Sequence, residues 1–421
     1  MKEYLKGLDP QLKEMVKIIS QQAAGLNMTV YIVGGVVRDL LLERNVSDLD
    51  LVVEGDAIEL AEQLAKKLEG KLVCYSQFKT ATLHFTTGQR LDLATARKEE
   101  YSVPGALPKV SSGDIRDDLF RRDFTVNAMA ICVSLDRFGE LVDFWGGRED
   151  LAKKKIRILH DLSFVDDPTR ILRAIRFEGR LKFTIEAKTL GFIKNALGQG
   201  MIHRVKAPRF FSEFKKILME DHFALMLRRF DELLGVAYFL PKVKINFKSL
   251  QTFEGRIHNL RKNKGFQLLT QWWLIVFSYL LKDATTVRVN QFLVRFQVSK
   301  YEQDVVWECR KVGRVINRLK SPRLKRSETY RLLKTLKHDT LLYILAVAEE
   351  SVVVGRIDGF LLKDSHLRTQ INGHDLGRLG LKDGKKTGRI LDKVLDARID
   401  GLLRSKFDEI RFVKKLLLKE G

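Results

Sequence analysis

A chain of 421 residues with 45% hydrophobic content has apolar material for two or more compact units and is neither disordered nor fibrous. Its formal charge of +22 predicts a polyanionic partner; with no lipidation motif or basic amphipathic anchor, nucleic acid leads over membrane. The longest nearly unbroken apolar run, Trp272 to Leu281, is too short to cross a bilayer, the first residues lack an apolar signal core, and Cys74, Cys132 and Cys309 are too scattered for a metal pair or a disulfide framework. A cytoplasmic protein with no membrane contact and three buried thiols is the expectation.

In chain order, residues 30–33 are an apolar, β-rich run that ends in Gly34-Gly35, and residues 36–42 read as the helix that follows. Residues 49–53 form a second strand candidate and 57–68 a helix. Residues 72–75, 80–86 and 90–94 give three more strands, with Gly88 in a turn. The fold class expected is α+β, with a small mixed sheet and flanking helices in front. After about residue 160 helical spacing of Leu, Phe, Lys and Arg takes over, which predicts an all-helical remainder. Soft boundaries near 160, 245 and 360 divide the chain into segments 1–160, 161–245, 246–360 and 361–421.

The first constellation is a turn and three acids. Gly34 and Gly35 let the backbone approach a phosphate, the helix behind them offers free N–H groups, and Arg38 lies within reach of the same anion. Asp48 and Asp50 alternate with Leu49 and so share a face; Asp92 stands between Leu91 and Leu93 in another strand candidate. If those strands are neighbours, three hard carboxylates converge, a donor set that suits Mg²⁺, and two such ions would serve phosphoryl chemistry.

The pattern Gly34-Gly35-x-x-Arg38-Asp39 with Asp48-x-Asp50 downstream resembles the signature of the polymerase β nucleotidyltransferase superfamily. More closely, it is similar to class II tRNA nucleotidyltransferases and bacterial poly(A) polymerases. That resemblance implies a polymerase-β-like catalytic head followed by helical neck, body and tail. It implies addition of C and/or A to the 3′ end of tRNA from CTP and ATP, with release of pyrophosphate. Asp48 and Asp50 would hold metal, with Asp92 as a third ligand assisting the attacking hydroxyl.

Arg121-Arg122-Asp123-Phe124-Thr125-Val126-Asn127-Ala128 matches a further motif of that family. Arg122 offers a planar fork for phosphate or ribose, Asp123 and Asn127 can orient it, and Phe124, Val126 and Met129 read as core. In Asp166-Asp167-Pro168-Thr169-Arg170, Pro168 suits the first turn of a helix behind an acidic cap, and Arg170, Arg173 and Arg176 make a cationic stripe. The family has Glu where Asp166 stands. By resemblance, Asp167 and Arg170 read the incoming base while Arg173 and Arg176 bind the nucleotide. An acceptor beside a donor complements the Watson–Crick edges of C and A and rejects U and G. Residues 98–108 would contain the flexible loop that governs the switch from C to A.

Residues 310–337 hold eleven Lys/Arg and one acid, Glu328, around a break at Pro322, a pattern expected to meet RNA phosphates. Arg323, Lys325 and Arg326 are the candidates there, and Lys385 and Lys386 join them from a Gly-rich turn at residues 372–389. His374-Asp375 has no second His-Asp partner, which excludes a phosphohydrolase centre. Rival readings are A-only, CC-only or poly(A) addition, and a non-catalytic RNA-binding protein on the same scaffold.

Overall fold

A computed structural model describes residues 3–100, 103, 105, 108–235, 243–263, 270–381 and 383–420, and the chain divides into two compact units, 1–235 and 236–421. Unit 1 begins with α1 (Pro10–Gly25), whose first turn is capped by the Asp9 carboxylate accepting from the Leu12 N–H at 2.8 Å. Next come β1 (Thr29–Val33), α2 (Gly35–Leu41), β2 (Leu49–Glu54), α3 (Ala57–Leu68), β3 (Lys71–Tyr75), β4 (Thr80–His84) and β5 (Arg90–Thr95). A hairpin, β6 (Arg97–Glu100) with β7 (Lys109–Ser112), precedes α4 (Ile115–Phe120), β8 (Ala130–Cys132), β9 (Leu141–Val142) and α5 (Gly147–Ala152). Then β10 (Lys155–Ile156), α6 (Ser163–Asp166), α7 (Arg170–Leu181), β11 (Thr184–Ile185), α8 (Ala187–Gly198), α9 (Ala207–Met219) and α10 (Phe223–Leu233) complete the unit.

The main sheet runs β3-β4-β5-β2-β1-β8-β9 and is mixed: β2 and β5 are parallel, and every other neighbouring pair is antiparallel. Strand alternation gives it two faces. Tyr31, Val33, Val52, Ala130 and Cys132 share one core with Ile115 and Leu119 of α4. The alternate residues Val30, Ile32, Leu51, Val53, Leu91 and Leu93 are buried on the opposite face, which α1 and α3 cover. Asp50 has the parity of Val52, so it belongs to the α4 face.

Several local expectations change. The strand expected at 80–86 ends at His84, where a turn carries Gly88 at φ +86°. β8, β9, β10 and β11 are two or three residues long, too short for periodicity to reveal, and β10–β11 is a parallel pair whose second strand lies beyond residue 160. Pro168 lies ahead of α7 rather than in its first turn. Cys132 and Cys309 are buried, but Cys74 is exposed, because β3 is the outermost strand of its sheet.

Unit 2 is helical throughout its described residues: α11 (Phe247–Arg261), α12 (Trp272–Leu280), α13 (Thr286–Arg295), α14 (Lys300–Cys309), α15 (Val312–Leu319), α16 (Arg326–Leu333), α17 (His338–Val347), α18 (Ser351–Leu362), α19 (Gly373–Arg378), α20 (Gly384–Ile399) and α21 (Lys406–Glu420). The nearly all-apolar α12 and α17 are buried on most sides and pack on each other. Ile371, Leu376, Leu381, Ile390, Val394, Ala397, Leu403 and Val413 form a separate core toward the C-terminus. There the fully buried Glu409 accepts from the N–H groups of Gln370 and Ile371 and pairs with Arg398 at 2.7 Å. Among the described residues no helix is long and apolar enough to cross a membrane.

Candidate active site

A cleft of about 770 Å³ opens in unit 1, lined by Gly35, Arg38, Asp48, Asp50, Arg122, Asp123, Asp167, Arg170 and Arg173 among others. Asp48 and Asp50 are its acids on the sheet side, and register sets Asp92 next to Asp50 without making it part of the lining. Leu49 pairs with Leu91 and Asp50 with Asp92 on neighbouring parallel strands, so both acids face the same side, and Asp48 precedes them by one alternation. Burial among protein atoms, then the charge of Asp92, raises the Asp50 carboxyl above its ordinary value; Arg122 and Arg90 pull it back.

The acids have partners that the sequence did not show. Thr82 on β4 donates its hydroxyl to Asp92 at 2.6 Å, the Arg90 guanidinium pairs with Asp92 at 2.9 Å, and the Arg90 N–H donates to Asp48 at 3.0 Å. No three acid, His or Cys side chains among the described residues stand close enough to hold a metal. The donors themselves are all hard oxygens. Asp50 feels the like charge of Asp92, partly offset by Arg122 and Arg90, and Arg90 places positive charge where a divalent cation would be drawn.

The opposite wall is cationic. Gly34 adopts φ +69°, and a Cβ there would lie 2.5 Å from a terminal nitrogen of Arg122, so only glycine lets that guanidinium approach the turn. Arg38 is 3% exposed, forks onto Asp39 at 3.0 and 2.7 Å and donates to Asn127 at 2.6 Å. Asp118, not Asp123, holds Arg122: its fully buried carboxylate receives Arg122 at 2.9 Å and Arg121 at 2.6 Å. Burial raises the Asp118 carboxyl, but the paired Arg122 and Arg121 outweigh burial and leave it below the usual carboxylate range. The spacing i, i+3, i+4 from Asp118 is the helical signal that could have revealed the trio.

Asp123 instead accepts from the Phe124 N–H and Asn127 and pairs with Arg173 at 2.5 Å; burial raises its carboxyl, and Arg173 with the Asn127 bond carries it net downward. Along α7 the cleft is lined by Arg170, Arg173, Phe177 and Arg180, the face expected of 3.6 residues per turn. Arg176 is one step off that face and reaches Glu220 at 3.3 Å. The Phe177 ring lies between 4.9 and 5.6 Å from the guanidiniums of Arg38, Arg173 and Arg176.

Asp167 and Arg170 both reach the cleft, each already held. Asp167 accepts from the Thr169 N–H at 3.0 Å and hydroxyl at 2.6 Å, and its second oxygen pairs with Arg209 of α9 at 2.8 Å. Arg170 donates to the Ser163 hydroxyl at 2.6 Å and to the Arg121 carbonyl at 2.7 Å. Of the expected loop at 98–108, Tyr101, Ser102, Pro104, Ala106 and Leu107 lie outside the described residues. Gly105 donates its N–H to the Asp166 carbonyl, and its own carbonyl accepts from Arg209 at 3.1 Å.

In unit 2 the candidate cations split into two groups. Ser327 bonds Asp400, and Arg331 pairs with Asp396, so α16 runs antiparallel to the end of α20. Arg323, Lys325 and Arg326 therefore lie near the C-terminal end of α20, while Lys385 and Lys386 start it, about 20 Å away at 1.5 Å per residue. Arg326 is partly neutralised by Asp364 at 2.5 Å.

Comparison with known proteins accords with this layout. A model described as "Poly A polymerase head domain" matches residues 30–157, and one described as "Probable RNA and SrmB- binding site of polymerase A" matches 182–245. The A-adding tRNA nucleotidyltransferase of Geobacter sulfurreducens is 34% identical over 414 residues, 96% of this chain; the chain spans only 47% of that curated relative's length. A protein of the same name from Halalkalibacterium halodurans is 31% identical, with 96% of this chain and 92% of the relative covered. The Thermotoga maritima CCA-adding enzyme complexed with tRNA superposes with a TM-score of 0.67 at 34% identity over 98% of this chain and 97% of its own. Relatives named CC-adding and CCA-adding also match. Fold, motifs and likeness over nearly the whole length agree that this chain belongs to the tRNA nucleotidyltransferase family, enzymes built on a poly(A) polymerase head.

Proposed function

We propose that this chain adds C and/or A to the 3′ end of tRNA without a nucleic-acid template, using CTP and ATP and releasing pyrophosphate. The observation that carries the reading is the Asp50–Asp92 register, which sets two carboxylates side by side, with Asp50 in a cleft that the restrained Arg38, Arg122 and Arg173 also line. Residues 1–160 would supply the chemistry, 161–245 the reading of the base, and 246–360 and 361–421 the grip on RNA.

The reaction is attack of the RNA 3′ hydroxyl on the α-phosphate. Asp50 and Asp92, with Asp48 at the strand entrance, are the residues that would hold Mg²⁺. Two such ions would supply Lewis-acid stabilisation of the phosphate charge and a more acidic attacking hydroxyl. Arg122, restrained by Asp118, and Arg38, restrained by Asp39, present guanidiniums to the triphosphate around the Gly34-Gly35 turn. Arg173, fixed by Asp123, extends that wall. Arg176, turned to Glu220, would serve the nucleotide by holding α7 against α9 rather than by contact.

At the base, Asp167 has three of its roughly four acceptor sites filled, which leaves one for an exocyclic amino group. Arg170 keeps unused N–H donors for the ring nitrogen beside it. Cytosine and adenine complement this pair; uracil and guanine set a carbonyl against the carboxylate, a loss of about 10²-fold or more.

Addition of A alone is the second reading, favoured by the A-adding names of the two relatives described above. Incubating transcripts that lack the last three, two or one nucleotides with CTP or ATP and Mg²⁺ separates the cases. Incorporation of C onto the shorter transcripts together with A onto the longest supports CCA addition, C without A supports a CC-only enzyme, and incorporation of A only onto the longest supports the A-only reading. Repeated A addition on any RNA identifies a poly(A) polymerase, and no incorporation at all refutes the catalytic reading in favour of RNA binding alone.

A further inference from the structure

Beside the cleft lies a row of aromatic rings that neither the catalytic acids nor the arginines explain. Phe120 ends α4 immediately before Arg121, and it is 46% exposed although its ring is part of an aromatic group. Its centroid lies 5.7 Å from Trp145 and 5.1 Å from His160, at shallow interplanar angles of 39° and 31°. Phe144, 43% exposed, continues the row at 5.4 Å from Trp145, with the Arg116 guanidinium 5.0 Å from its centroid. Trp145 anchors the row to the core of the α4 face.

The rings do not line the cleft itself, but residues in contact with or next to them do. Arg121 lines it, and the Arg121 carbonyl holds Arg170. His160 lies 3.9 Å from Asp166 and feels the charge of Arg170. Burial and then Arg170 lower the His160 pKa, so at neutral pH its ring is an uncharged π face. A core would cover Phe120 and Phe144. Two exposed phenyl rings beside a cationic cleft have instead the composition of a platform for unpaired bases: flat faces for stacking, and arginines for the adjoining phosphates.

We propose that Phe120, flanked by Trp145 and His160, is a stacking shelf for an unpaired nucleobase at the RNA 3′ end, positioning that end as it enters the cleft. The assignment rests on the function proposed above. The shelf holds the acceptor strand by its base planes, with no hydrogen-bond readout, and so accepts any terminal base.

The test uses the full chain and an RNA minihelix whose last unpaired base is 2-aminopurine, a fluorophore quenched by stacking. Wild type is expected to quench it on binding. Phe120→Ala should abolish the quench and raise the KM for RNA about tenfold, a size typical of one lost base stack, while the KM for ATP stays unchanged and reports an intact nucleotide site. Phe120→Leu keeps apolar volume without a π face and should behave like the alanine variant; Phe120→Trp should restore both readouts. An active wild type whose alanine variant keeps full quenching and the same KM for RNA overturns the shelf alone. So does a variant that changes only the oligomeric mass, because the rings would then cover protein. A wild type that extends no RNA removes the reading of the cleft itself.

Discussion

Arginine serves two purposes in this molecule. In the cleft of unit 1 each named guanidinium is tied down: Arg38 by Asp39 and Asn127, Arg122 by Asp118, Arg173 by Asp123. Along residues 310–337 of unit 2 the cations are mostly at the surface, and those that pair, such as Lys320 with Glu350, Arg326 with Asp364 and Arg331 with Asp396, reach acids outside the segment. Restrained charge suits recognition of one phosphate in one place, since the ordering entropy is spent on folding rather than on binding. Exposed charge suits a long backbone whose contacts need sign and spacing more than angle.

The contrast can be tested where it is strongest. Asp50→Asn, which removes one of the paired acids facing the arginine wall, should cut single-turnover nucleotide transfer by at least about a thousandfold, roughly 4 kcal/mol, while RNA affinity in a filter-binding assay holds. Loss of RNA affinity in step with rate would show that the two regions are not separate in purpose. Next in size is Asp118→Asn, which leaves Arg121 and Arg122 without their buried carboxylate and should cost about 3 kcal/mol in denaturant unfolding at pH 7. The folded Asp118 pKa is depressed, so its contribution is present above the unfolded carboxylate value near 4 and is lost as pH falls toward the folded value. The gap between variant and wild type should therefore close below about pH 4.

Arg209→Ala frees one oxygen of Asp167 and should reduce the preference for CTP or ATP over UTP by about tenfold, read as a ratio of kcat/KM values. The smallest effects belong to unit 2. Replacing Arg323 and Lys325, or Lys385 and Lys386, by Ala should lower the slope of log affinity against log salt by about one for each phosphate contact removed, without altering kcat. The two pairs should add independently, being about 20 Å apart along α20.

What could be read from the chain follows range of interaction. The alternation of Leu49, Asp50 and Leu51 placed Asp48 and Asp50 on one face, and apolar neighbours marked Asp92 as a strand acid, because side-chain parity is local. The parallel pairing of β2 with β5, and the donation of Thr82 and Arg90 to Asp92, are contacts between strands and left no periodic mark. The stripe on α7 was found but its phase was not: a step of three residues selects Arg176, whereas the true turn brings Phe177 and Arg180 to the cleft. Asp118 stands less than one turn before a known motif, and its i, i+3, i+4 spacing to Arg121 and Arg122 allows the pairing, but its burial, which makes that pairing matter, leaves no mark in the sequence.

Parallel strands cannot be joined by a tight turn, and β2 reaches β5 only by way of α3 and the β3–β4 excursion, so Asp50 and Asp92 meet across that whole detour. No local nucleus assembles this pair, and loop closure must precede it. Enzymatic competence is thus a late reporter of folding: in a refolding time course, nucleotide transfer should return no earlier than amide-exchange protection of β4 and β5, however soon helix is regained.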